Sequence, residues 1–336
     1  MKSFYRDTVA KAWKLAINQR WLWPLAFFAS FLGLSTTFKI FFDLAPSSQS
    51  LVVTVNNTIS SDFFTTNFVG WSQGFYRIPW SNIDLSTAPL LALILLVFVV
   101  FITLIIMVVS SEAGLISGIS SVLNNKKTSM FNCLQLGLNK FWQLFIVHFF
   151  YSLLYIIFLG IIILPVATLV DQMSAPVRLL SAIGIYLIIV PTIVVLDIMI
   201  RYTVTFITLR KASVPSALKQ AYDLFKANWL ISLETALMVM VLLLVYTFIV
   251  IQILNLLFYL FIFFAGLMPA GTLPFYVTLF TGLAIMTAIV VTSFVIFTTF
   301  YLAIWTSMFE RLEREVHYSK IHRAVRFAPW LHKKIV

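Results

Sequence analysis

Residues 129–142 read SMFNCLQLGLNKFW, and from Trp142 the chain runs on as an apolar stretch to about residue 168. Met130, Cys133, Leu134, Gly137 and Leu138 recur at the spacing i, i+3, i+4, i+7, i+8, which places them on one face of a helix. Asn132 and Gln135 fall on the opposite face. The same five offsets return twice: Val9, Ala12, Trp13, Ala16 and Ile17 after Thr8, then Val214, Ala217, Leu218, Ala221 and Tyr222 after Ser213. Lys11 and Lys14 form the polar face of the first copy, and Ser216, Lys219 and Gln220 that of the third. Thr8, Ser129 and Ser213 are each suited to an N-cap, where a side-chain oxygen accepts a first-turn N–H and contributes about 1 kcal/mol. Pro215 then falls in a first turn, where its missing N–H is harmless.

Each copy leads into a run that only lipid can solvate. The chain is 61% hydrophobic and 10% charged, with a mean hydropathy of +1.00, whereas soluble domains carry about 25% charged residues. A run of roughly 20 apolar residues spans a bilayer core. Six such runs are present, at about 22–43, 88–110, 142–168, 179–201, 229–252 and 284–308. Twenty of the 23 Lys and Arg lie in the N-terminal segment, around the connections after the second and fourth runs, and in the C-terminal tail; Lys39, Arg77 and Arg178 are the others. This bias is the positive-inside pattern and predicts that both termini are cytoplasmic.

The net charge of +11 therefore points to anionic lipid headgroups, at about 1 kcal/mol per basic residue near the surface. It does not point to nucleic acid, since no basic domain stands clear of the membrane. Cys133 is the single cysteine, which excludes an intramolecular disulfide or a thiolate metal cluster. The basic N-terminal region is long and no small-x-small cleavage site follows it, so the first run reads as an uncleaved signal anchor.

The fold these features predict is an all-α integral membrane protein: six transmembrane helices forming three hairpins, each preceded by an amphipathic elbow helix in the cytoplasmic interface. The repeat-like units cover about 8–122, 129–201 and 213–308 of one polytopic domain spanning 1–336. Trp21, Trp23, Trp142 and Trp229 mark the points of entry, because Trp prefers the headgroup level. All three units have the same orientation, as parallel repeats do. An extracytoplasmic loop over 44–87 is too short to fold alone, and 309–336 forms a basic cytoplasmic tail lying on the membrane surface. Residues 229–268 are almost continuously apolar, about twice one span. We expect one span ending near Gln252 and Asn255, followed by a protruding or re-entrant hairpin over 253–283, whose backbone at membrane depth has to be covered by protein.

An ionisable group at the bilayer centre costs about 2.5–3.5 kcal/mol on insertion, so Glu112, His148, Asp197, Arg201 and Glu234 form a candidate polar cluster in the cytoplasmic half. Asp197 and Arg201 share a helix face at i, i+4, and Glu234 lies roughly 8 Å beyond Trp229. Two readings follow. Arg201 could meet a phosphate or carboxylate while Glu112, His148 or Glu234 relays protons; or the charges satisfy each other and snorkel. Gly114 and Gly118, four apart among small residues, form a helix-packing face. Pro165 and Pro191 are expected to kink their helices. His317, His322 and His332 lack metal-site spacing, and the paired histidines of a zinc protease are absent. No metal and no cofactor are expected.

Tyr5-Arg6-Asp7-Thr8, the Trp-bounded first elbow, the outer loop and the later elbows at Ser129 and Ser213 together resemble a loose bacterial group. It includes the membrane domains attached to some glycerophosphoryl diester phosphodiesterases and stand-alone six-helix inner-membrane proteins. The resemblance covers residues 1 to about 310 and implies a bacterial cytoplasmic membrane. It carries no catalytic residue across, because the phosphodiesterase domain is soluble and nothing here corresponds to it. No paired glutamates, Ser–His pair or nucleotide loop is present either. The leading expectation is thus a non-enzymatic membrane protein that organises lipids or partner proteins. The alternative is a small-solute or lipid transporter using the buried charges, with an intramembrane enzyme third.

Overall fold

The computed structural model describes residues 4–33, 88–158, 174–269 and 272–314, with single positions at 160, 166 and 169. Within them the chain is all helical, without a strand. Residues 44–87, expected as an extracytoplasmic loop, most of the tail, the three tail histidines and Pro165 lie outside the described residues.

The helices are α1 (Phe4–Asn18), α2 (Trp23–Gly33), α3 (Ala88–Leu123), α4 (Met130–Asn139), α5 (Phe141–Ile157), α6 (Ala175–Arg210), α7 (Val214–Gly266) and α8 (Leu273–Arg314), with a single 3-10 turn at Arg20–Leu22. Four of these, α3, α6, α7 and α8, are long and apolar enough to cross a membrane, and α4 with α5 makes a fifth candidate bent by 65°. Helix α6 runs through Pro191, and α7 carries its one non-helical residue at Asn228.

Local signals explain several boundaries. Ser129 is an N-cap, its hydroxyl accepting the Asn132 N–H at 3.3 Å. Thr8 is not, because α1 begins one turn earlier at Phe4 and Thr8 is buried inside it. Helices α3 and α6 both stop at a residue with positive φ, Asn125 and Lys211, the left-handed stop that satisfies terminal carbonyls. Lys126 N–H accordingly donates to Ser121 at 2.8 Å. At the end of α1 the Trp23 indole donates to the Ala16 carbonyl at 2.9 Å, one of the acceptors a helix end leaves unsatisfied. The Arg20 guanidinium lies 5.9 Å from the centre of the Trp23 ring.

The chain divides into two compact units, residues 28–227 and residues 1–27 together with 228 onward. In the first, α3 makes its most extensive contact with α4, and α6 packs on α5 and on α3. In the second, α1 packs along α8, with Trp13 edge-on to Phe300 at 5.5 Å. Helices α7 and α8 run antiparallel, meeting where the Tyr246 hydroxyl donates to the Ser293 carbonyl at 3.1 Å.

Burial is uneven along the long helices. Residues 108–116 of α3 are all buried, whereas Leu93 to Phe101 are exposed on every side. Helix α8 repeats the division, with Phe297 to Phe309 buried and Leu273 to Leu283 largely exposed. The second apolar stretch of 229–268 is also helical: α7 continues without a break past Gln252 and Asn255 to Gly266, and α8 returns from Leu273.

The three amphipathic segments share a feature finer than the five-position pattern. The fourth and eighth residues after Thr8, Ser129 and Ser213 are Ala12 and Ala16, Cys133 and Gly137, and Ala217 and Ala221, and all six are buried. Five large members of the pattern, Trp13, Ile17, Met130, Leu138 and Tyr222, are exposed instead, Trp13 while also meeting Phe300 edge-on, and Val9, Leu134, Val214 and Leu218 are half-buried. Small side chains four apart let backbones approach closely, so the protein-facing stripe is the small one.

Candidate functional site

Four of the five candidate ionisable residues come together in the first unit, from three helices. Glu112 on α3 is 1% exposed and Arg201 on α6 is 6% exposed. The Arg201 Nη1 donates to Glu112 Oε1 at 2.6 Å, while His148 Nε2 on α5 lies 2.7 Å from Glu112 Oε2. The second guanidinium nitrogen, Nη2, reaches Asp197 Oδ1 at 3.5 Å, one helical turn away. Glu112 therefore uses both oxygens, one on each partner. Its position is set by the packing of α3: Gly114, two residues on, lies against the Cys133 backbone of α4.

That packing is tight. A Cβ built on Gly137 would sit 2.0 Å from the Ser110 carbonyl oxygen, and one on Gly114 would sit 3.0 Å from the Cys133 carbonyl oxygen. The two glycines let α3 and α4 touch backbone to backbone. Gly118, the other member of the expected packing face, is buried.

The charges are arranged so that two carboxylates face one guanidinium and one imidazole. The side chains of His148 and Asp197 are 14% and 20% exposed, so the cluster opens slightly at those two and is closed at Glu112. Below it the Tyr151 hydroxyl and the Thr203 hydroxyl lie 3.4 Å apart. Thr203, Thr205 and Thr208 each donate to the carbonyl four residues back, at 2.7–2.8 Å, which satisfies their hydroxyls inside an apolar helix. The buried hydroxyls of Ser110 and Ser111, and the buried Gln143 amide oxygen, have no hydrogen-bond partner among the described residues.

Glu234 does not join this cluster. It belongs to the other unit, where its carboxylate accepts a hydrogen bond from the Tyr5 hydroxyl of α1. Nearby in sequence, Asp7 of α1 takes Arg311 of α8 at 2.5 Å and Lys11 at 3.1 Å. The Arg311 hydrogen bond, with Lys11 second, holds the Asp7 carboxyl below its ordinary value. The expected anchors differ in setting: Trp142 and Trp229 are exposed, while the Trp21 indole donates to the Gln19 side chain at 2.9 Å.

Sequence reasoning found the carboxylates and Arg201 by their cost in lipid, but it missed Tyr5, Tyr151, Asp7 and Arg311 as partners. Tyr5 and Asp7 flank Arg6, and Tyr5 lies three and seven residues before Thr8 and Ala12, on the same buried helix face. Nothing local in the sequence pairs Asp7 with a residue 304 positions away.

Among the described residues no three His, Cys, Asp or Glu side chains are grouped to hold a metal ion. No family model matches the chain, and no curated protein or solved structure matches it either.

Proposed function

We propose that this is a non-enzymatic integral membrane protein of the bacterial cytoplasmic membrane that organises lipids or partner proteins. The observation that carries the reading is the pairing of the buried charges with one another: Glu112 is engaged by both Arg201 and His148, which leaves the large exposed surface apolar. In this reading six transmembrane helices form three hairpins, both termini are cytoplasmic, and the three amphipathic helices lie in the interface as elbows. Their buried small residues hold them to the protein, and their exposed Trp13, Ile17, Met130, Leu138 and Tyr222 enter lipid as the apolar face of an interfacial helix does. Lys126, Lys127 and Lys219, all exposed, meet anionic headgroups. The likeness to phosphodiesterase membrane domains and six-helix inner-membrane proteins supports the same setting.

A transporter is the second reading, favoured by the partial exposure of His148 and Asp197 and by the unpartnered Ser110 and Ser111 hydroxyls beside Glu112. Ser111→Cys in a Cys133→Ala background separates the two, because the exchange barely alters volume. A membrane-impermeant thiol reagent is expected to leave this position unlabelled from either side. Labelling from both sides would replace the scaffold with a solute pathway.

A further inference from the structure

We infer that the outer part of the α7–α8 hairpin, residues 256–266 and 273–284, carries a collar of lipid acyl chains beyond the core of an ordinary bilayer. The inference rests on the membrane reading above and names the lipid contact it involves.

The hairpin is too long for one bilayer. Beyond Asn228, α7 continues to Gly266, about 57 Å at 1.5 Å per residue, and the 42 residues of α8 make about 63 Å. A hydrocarbon core is about 30 Å thick. Trp229, placed at one headgroup level, is followed after about 35 Å of helix by Gln252 and, one turn on, by Asn255. Both amides are exposed. An exposed amide is costly in hydrocarbon and solvated at a headgroup level, so this pair marks the second surface of the bilayer. The antiparallel register, fixed by Tyr246 with Ser293 and by Phe261 against Gly282, brings Thr287 of α8 to the same level. Its side chain is exposed as well.

Past this polar belt the helices become apolar again. From residue 235 to residue 309 there is no Asp, Glu, Lys, Arg or His. Leu256, Tyr259, Phe263, Leu273 and Phe280 are among the most exposed large side chains of the chain. Phe258, Leu260, Ile262 and Phe264 are exposed too, so α7 is bare here on every face except the stripe of Leu257, Phe261 and Ala265, where Phe261 meets Gly282 of α8. A folded partner would cover one stripe of such a helix. Exposure around all of the circumference that α8 leaves open calls for a fluid apolar medium, which is acyl chain. Tilt cannot absorb the excess: at 40°, the upper end of the observed range, a 30 Å core takes up only about 39 Å of helix. Lipid must therefore rise around the hairpin, as it does when a bilayer thickens locally about a long span.

The test places single cysteines at Phe263, Phe280 and Val245 in a Cys133→Ala background, attaches a spin label, and reconstitutes each protein in phosphatidylcholine vesicles with 18-carbon monounsaturated chains. Oxygen reports apolar surroundings and a water-soluble nickel chelate reports aqueous ones. The labels at 263 and 280 are expected to relax at least several-fold more with oxygen than with nickel, as the label at 245 does. Nickel-accessible tips beside an oxygen-accessible Val245→Cys would put the tip in water and overturn the collar while leaving the span intact. Tips shielded from both probes would mean cover by protein, such as a second copy, and would equally overturn it. A nickel-accessible Val245→Cys would instead remove the membrane reading on which the inference stands.

Discussion

Glu112 on α3 and Arg201 on α6 meet at 2.6 Å although 89 residues separate them in sequence, and both are withdrawn from their surroundings almost completely. Removing one member of such a pair strands a buried charge, at a cost of about 3–5 kcal/mol, whereas removing both is far milder. Arg201→Gln is expected to lower unfolding stability in detergent by that amount. The double variant Glu112→Gln with Arg201→Gln should recover at least half of the loss. A double variant as unstable as the sum of the two singles would show that the residues do not act on each other.

Gly137 and Gly114 bring α3 and α4 into backbone contact, but they are not equally crowded. Gly137→Ala drives a methyl group into the Ser110 carbonyl, and Gly114→Ala into softer contact with Cys133. Overpacking typically costs about 1–3 kcal/mol, so Gly137→Ala should sit at the top of that range and Gly114→Ala at the bottom. Gly184, within α6, has nothing near its missing Cβ. Gly184→Ala should therefore raise stability, by up to about 1 kcal/mol of helix propensity. Thermal unfolding of the three variants in one detergent gives the ranking.

Asp7 couples α1 to α8 through Arg311, and its carboxyl is held below the ordinary value by that guanidinium and by Lys11. A depressed acid stabilises the folded state fully above its unfolded pKa, here near 3.8, and loses that contribution as pH falls through the folded value. The pair is about one-quarter exposed, so its worth is at most about 1 kcal/mol. Asp7→Asn should be less stable than the parent at pH 7, and the gap should close as the pH falls below 3.8 and through the lowered folded value. A gap that persists until the protein unfolds in acid would place the effect elsewhere.

Cys133 is buried where α4 meets α3. A maleimide reagent should label it only slowly in the folded protein, and rapidly once α4 is detached by denaturant. Prompt labelling under native conditions would mean that α4 leaves α3 readily.

The helical class and the long apolar runs were legible because lipid imposes a composition that no soluble core shares. The cost of intramembrane charge likewise singled out Glu112, His148, Asp197 and Arg201, which share a site, and Glu234, which does not. Depth along a helix is readable from spacing, but which helix lies beside which is not. Glu234 could not be separated from the other four without knowing that Tyr5 faces it. The amphipathic pattern also hid a choice. Trp13 and Ala12 sit on neighbouring edges of one apolar face, and periodicity alone cannot say which edge meets protein. Side-chain size decides it: only the small residues at Ala12, Cys133 and Ala217 let a backbone close in. The length of α7 was visible as an excess of apolar residues, yet only the continuous helix through Gln252 showed where that excess goes.

Native mass spectrometry of the protein released from nanodiscs of mixed anionic and zwitterionic phospholipid bears most directly on the proposed role. The parent is compared with a Lys126→Gln, Lys127→Gln variant and with His148→Gln. Anionic phospholipid retained by the parent and by His148→Gln, but lost from the lysine variant, is the predicted result. A stoichiometric non-lipid solute that survives the lysine changes and disappears with His148→Gln would contradict the account and make the buried cluster a transport site.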